Sequence, residues 1–173
     1  MMVKDRNFRA GDILVACDNA FNIPHGYWGH AAIMANENQV LEATDSFPYI
    51  RVLSIEQFMQ DHPNHAQYRP KDPMVGANAA ACAVDYLEKY RQNVANGQER
   101  PVFSFFGPSP LSDPWQTVYC SKLVWLSYYY GTGIKFPNDY FLFTPEDLDT
   151  VLKKDDRFTL IYRHPDFQFL INT

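Results

Sequence analysis

The side chains of this sequence best suited to nucleophilic or base chemistry are three cysteines, Cys17, Cys82 and Cys120, and five histidines, His25, His30, His62, His65 and His164. A cysteine attacks as thiolate, and a thiol with the ordinary pKa of ~8.5 is only slightly ionised at neutrality. A reactive cysteine therefore needs a helix N-terminus or an imidazole beside it. Cys120 has the first on sequence grounds. From Thr117 to Tyr130 the chain holds no Gly or Pro, and Val118, Leu123, Leu126 and Tyr130 share one face, which predicts a helix with Cys120 in its first turn. The competing reading is a small buried apolar residue, as many helical cysteines are.

His30 opens the apolar run Ala31-Ala32-Ile33-Met34, where a polar ring is out of place without a partner. It is the candidate general base, weighed against a structural histidine. Glu42, flanked by Val40-Leu41 and Ala43, is costly to bury alone and is the candidate third group that would fix the imidazole tautomer. Asp45 and Asp12 are alternatives, although Asp12 fits better as a turn cap before the first strand. His62 and His65 have the spacing of a metal pair. Pro63 lies between them and no cysteine partner matches, so a solvated loop is expected there and no metal is assigned. Trp28 and Tyr119 flank the reactive positions and are candidate substrate-binding walls, or alternatively core aromatics.

The elements needed to position these residues can be read from the pattern. Gly11-Asp12 punctuates before a buried strand, Ile13 to Ala16. A loop holding Asn19, Asn22, Pro24, His25 and Gly26 leads to a strand ending at Met34. The polar tip Asn36-Glu37-Asn38 turns it into a third strand, Gln39 to Thr44, as an antiparallel hairpin that puts His30 and Glu42 on paired strands. Ile50 to Leu53 offers a fourth strand, and Ser54 caps a helical turn with Gln57 three positions on. The stretch from Asp61 to Pro73 predicts loop, and Val75 to Arg91 predicts a helix with Ala80, Val84 and Leu87 on one face. Asn93 to Pro114 carries too many Gly and Pro residues for regular structure, apart from Val102-Phe103-Ser104-Phe105-Phe106, and its aromatics are expected to anchor the loop, a reading favoured over that of a cover for a substrate pocket. Thr144-Pro145-Glu146-Asp147 starts a last helix ending near Lys154, and Phe158 to Arg163 alternates as a final strand. The class is α+β.

With 173 residues, 46% of them hydrophobic and 20% charged, the chain suits one domain, residues 1–173, with a real core. A net charge of -5 without a basic run excludes nucleic acid as an expected partner. An odd, widely spaced cysteine set supports neither a disulfide framework nor a zinc site. No window suits a transmembrane helix or a signal peptide, so a cytoplasmic location is expected. The oligomeric state is not legible.

Three stretches together resemble the NlpC/P60 superfamily of papain-like cysteine hydrolases, in its circularly permuted branch of YiiX/YebB-like proteins, related to lecithin retinol acyltransferase. They are Gly11-Asp12-Ile13-Leu14, then Trp28-Gly29-His30-Ala31-Ala32-Ile33 continuing to Val40-Leu41-Glu42-Ala43, and Tyr119-Cys120-Ser121-Lys122-Leu123-Val124-Trp125. Histidine precedes cysteine here, which is the permuted order. The resemblance implies a small antiparallel sheet packed against helices, with Cys120 as nucleophile, His30 as base and Glu42 in the third role. It also implies an acyl-thioester mechanism that needs no cofactor. The expected substrate is a small peptide or amide. A lipid acyltransferase or phospholipase with peripheral lipid contact is the enzymatic alternative, and a catalytically silent binding module is the non-enzymatic one.

Overall fold

The computed structural model describes residues 6–18, 26–107, 109–138 and 142–171. The loop read around Asn19, Asn22, Pro24 and His25 falls mostly outside them. Six strands form one antiparallel sheet in the order β4-β3-β2-β1-β5-β8: β1 Ile13–Ala16, β2 His30–Met34, β3 Gln39–Ala43, β4 Ile50–Ser54, β5 His65–Pro70 and β8 Phe158–Arg163. A separate parallel pair joins β6 Val102–Phe103 to β7 Thr117–Val118. The helices are α1 Ile55–Asp61, α2 Pro73–Ala95, α3 Cys120–Thr132 and α4 Pro145–Lys154.

The period-2 alternation of strands sorts side chains onto two faces. Ile13, Val15, Ala31, Ile33 and Leu41 join the larger core with Leu123, Val124, Leu148 and other residues of α2, α3 and α4. Their neighbours Leu14, Ala32, Met34 and Val40 pack on the other face with Phe8 and with Ile55 and Phe58 of α1. His30 and Glu42 share the parity of this second set.

Gly11 shows how closely the layers meet. It has φ +84°, and a Cβ there would stand 2.3 Å from the backbone of Gly76 in α2. Asp12 beside it accepts from the Arg9 amide, the turn role expected of it, and also receives Arg69 and Gln67 at 2.6–2.8 Å.

Three of the expectations need correction. Residues 65–70 are a strand inside the sheet instead of loop. Their polar members are satisfied by partners outside the strand, Gln67 by Asp12 far back in the chain and His65 by the nearby His62 carbonyl. His62 and His65 are accordingly buried, 7% and 2% exposed, and do not lie in a solvated loop. Thr117 and Val118 pair with Val102 and Phe103, so α3 begins only at Cys120, and Cys120 becomes its first residue.

Candidate active site

Cys120 owes its position to the end of the β6–β7 ladder. Tyr119 is extended at φ -151° and ψ 171°, and the helix starts at the next residue. The other three helices have side-chain caps, from Ser54, Asp72 and Thr144. Helix α3 has none. The first amides of a helix lack intrahelical acceptors, so an uncapped N-terminus keeps N–H groups and the positive end of the dipole available to an anion. The sulfur of Cys120 sits at that end.

His30 is placed by the residue before it. Gly29 has φ +81°, and a Cβ there would meet the Ala16 carbonyl oxygen at 2.4 Å, so the tight entry into β2 requires glycine. The His30 ring then lies between two partners. Its Nε2 is 2.7 Å from Glu42 Oε2, and its side chain interacts with that of Cys120, which lines the same crevice. Burial alone would favour neutral imidazole, but the hydrogen bonds and charges of Cys120 and Glu42 outweigh it and hold His30 raised to about 10. Glu42 is only 3% exposed. Burial pushes its pKa up, yet His30 and then Arg51 reverse that and hold it at about 2. Arg51 reaches the second carboxylate oxygen from β4, with Nε at 2.8 Å and Nη2 at 2.7 Å, so both oxygens are committed.

The crevice over these groups is lined by Gly29, His30, Glu42, Thr44, Asp45, Arg51, His62, Phe103, Phe105 and Cys120 among others, and its volume is about 50 Å³. That is room for a carbonyl group and a water molecule, given ~30 Å³ per water. The bulk of any substrate must lie across the rim.

Cys120, His30 and Glu42 are thus brought together from three elements. Trp28 and Tyr119 are not brought to the crevice surface. Trp28 meets Phe105 edge-on at 4.6 Å, and Tyr119 stands behind Phe105 at 5.6 Å with its hydroxyl accepting from the Phe143 amide. The walls expected of them are supplied by Phe103 and Phe105. Asp45 lines the mouth, where it accepts from Thr44 and Ser46. Asp12 is tied up with Arg69. Cys82 is half-buried, and its thiol is pushed up first by burial and then by Asp85.

Three contributors were not anticipated: Arg51, Asp18 and His62. His62 follows α1, stacks on His30 with 4.6 Å between centroids and 20° between planes, and bonds Asp18 Oδ1 through Nδ1 at 3.0 Å. A signal for Arg51 did exist, since a hairpin register placing Arg51 opposite Glu42 is consistent with the strands as read. None existed for Asp18, 44 residues from His62.

No protein-family model matches the chain, and no curated protein matches it in sequence. Among solved structures, the crystal structure of the metalloprotein YiiX from Escherichia coli O157:H7 is similar, with a TM-score of 0.51 and 14% identity over 90% of this chain and 97% of that one. At that identity the likeness is one of architecture, and with the six-stranded antiparallel sheet and four helices described above, this chain has a YiiX-like α+β fold.

Proposed function

We propose that the protein is a cysteine hydrolase of papain-like, circularly permuted NlpC/P60 type, cleaving a small peptide or amide through an acyl-thioester on Cys120. The observation that carries this reading is the unbroken chain of contacts from the Cys120 side chain through His30 to Glu42, built at the N-terminus of an uncapped helix. An imidazolium and a helix N-terminus are the two features that favour a thiolate, and both border this sulfur. The thiolate attacks the scissile carbonyl, and the first amides of α3 donate to the oxyanion. His30 gives its proton to the leaving amine, while Glu42 holds the ring orientation and supports its charge. Water then hydrolyses the thioester.

YiiX is named as a metalloprotein, and one ligand atom from each of His30, Glu42 and His62 lies within 4.8 Å of the other two. Imidazole ligands need in-plane lone pairs that converge on one ion at ~2.0–2.1 Å. Here the two rings are stacked, so their lone pairs run in separate, nearly parallel planes. His30 Nε2 is also closed against Glu42 at 2.7 Å. This arrangement does not fit an ion, and no metal enters the proposed chemistry.

Alkylation by iodoacetamide tests the reading. Cys120 reacts at pH 6–7 at least ~10-fold faster than a free thiol, and His30→Ala removes the advantage. Equal rates in the two proteins sink the proposal. Turnover of γ-glutamyl or diamino-acid peptides, set beside acyl-lipids, then separates amidase from lipid acyltransferase.

A further inference from the structure

Two imidazoles line the crevice, each bonded to a carboxylate, and the proposed acylation uses only one of these pairs. The second is His62 with Asp18. Asp18 is buried and immobilised: Oδ1 faces His62 Nδ1 at 3.0 Å, and Oδ2 accepts from the Asn64 amide at 2.8 Å. An ionised carboxylate only accepts, so the contact calls for a proton on Nδ1, and in the neutral ring that places the lone pair on Nε2. His62 borders the same crevice as Cys120 and stacks on His30, while Phe58 flanks both imidazoles. His30 is already engaged, with Glu42 on Nε2 and the Cys120 side chain interacting with the ring. The Nε2 of His62 is the ring nitrogen left to serve a third molecule.

The geometry points to His62, backed by Asp18, as a second proton-transfer residue that acts on the acceptor. It takes the proton of the water, hydroxyl or amine that resolves the Cys120 thioester. This rests on the thiol-hydrolase reading above. With water, the oxygen bonds to the acyl carbon as its proton passes to His62 Nε2. The tetrahedral intermediate collapses, the C–S bond breaks, and the electron pair returns to sulfur. The acid product gives its proton to His30, which restores the thiolate–imidazolium pair, and His62 loses its proton to solvent. One imidazole serves the nucleophile and the other serves the acceptor.

Pre-steady-state hydrolysis of p-nitrophenyl acetate separates the two steps. In the wild-type protein the burst reports acetylation of Cys120, and the later linear phase reports deacetylation. His62→Gln is expected to keep the burst within about twofold while the linear rate falls by about 10²-fold, the usual worth of a positioned base. The acetyl-enzyme then accumulates in the intact mass spectrum. Asp18→Asn, which keeps the side-chain shape, shows the same split to a smaller degree, and unchanged thermal unfolding of either variant certifies the fold. A burst and linear rate that fall together make His62 only a support for His30 and overturn the inference, as does a linear rate that does not change. A wild-type protein with no Cys120-dependent burst refutes the hydrolase reading itself and this inference with it, so the two failures are distinct.

Discussion

Glu42→Gln removes one charge from the centre of the site and preserves its shape. In the native protein Glu42 Oε2 meets His30 Nε2 at 2.7 Å in a nearly solvent-free setting, and this contact together with the Cys120 contact keeps His30 protonated up to about 10 against the opposing effect of burial. A charge-assisted hydrogen bond of this kind contributes ~1.5–3 kcal/mol, which is about 10- to 100-fold in the balance between thiolate–imidazolium and thiol–imidazole. The introduced carboxamide still accepts a neutral hydrogen bond, so the loss should sit near the lower end. The assay is the second-order rate of Cys120 alkylation from pH 5 to pH 10. At pH 6–7 the variant should react roughly 10-fold more slowly than wild type. Above the ordinary thiol pKa of ~8.5 the thiolate forms without help from His30, and the two rates should converge. A ratio that stays below about twofold at every pH, or one that does not change with pH, would refute the claim that Glu42 sustains the ion pair.

Two stability effects follow from the same electrostatics. Glu42 is held at about 2 when folded and 4.5 otherwise, so the stability it contributes is present above pH 4.5 and is lost as pH falls towards 2. Denaturant titrations at pH 5 and pH 2.5 should show a steeper loss in wild type than in Glu42→Gln. Asp12→Ala should destabilise the fold by about 3–5 kcal/mol in urea, because it leaves the largely buried Arg69 without its carboxylate partner. A loss under about 1 kcal/mol, the range of an exposed pair, would mean that solvent reaches Arg69 and replaces the contact.

The sequence singles out Cys120 and His30 as candidates because both stand out from their local pattern. Cys120 heads a stretch free of helix breakers, and His30 and Glu42 interrupt apolar runs. Strands β1 to β4 and helices α2 and α4 are legible for the complementary reason, that their periodicity and caps are local. β5 is hidden because its His, Gln and Arg side chains look like loop residues until Asp12 and the His62 carbonyl are brought to them from 55 and 3 positions away. The β6–β7 pair has two residues in each strand and therefore no period to detect, which is why the pattern alone starts α3 three residues too early. The proline beside His62 argues for a loop. What makes His62 part of the site is a carboxylate that only the folded chain brings near.

The short parallel ladder between β6 and β7 has a wider meaning for how such a site diversifies. Val102 and Phe103 are bound to Thr117 and Val118 directly ahead of Cys120, so the chain from Ser104 to Gln116 leaves and returns at one clamped base. Its crown is tied to the helices by the Tyr86 hydroxyl on the Pro114 carbonyl and the Tyr130 hydroxyl on the Ser112 carbonyl. A segment anchored in this way can exchange its sequence, or lengthen, while the strands that carry His30 and Glu42 keep their register. Loop grafting between the two clamps is accordingly a way to reshape the rim of the crevice that leaves Cys120, His30 and Glu42 as they were.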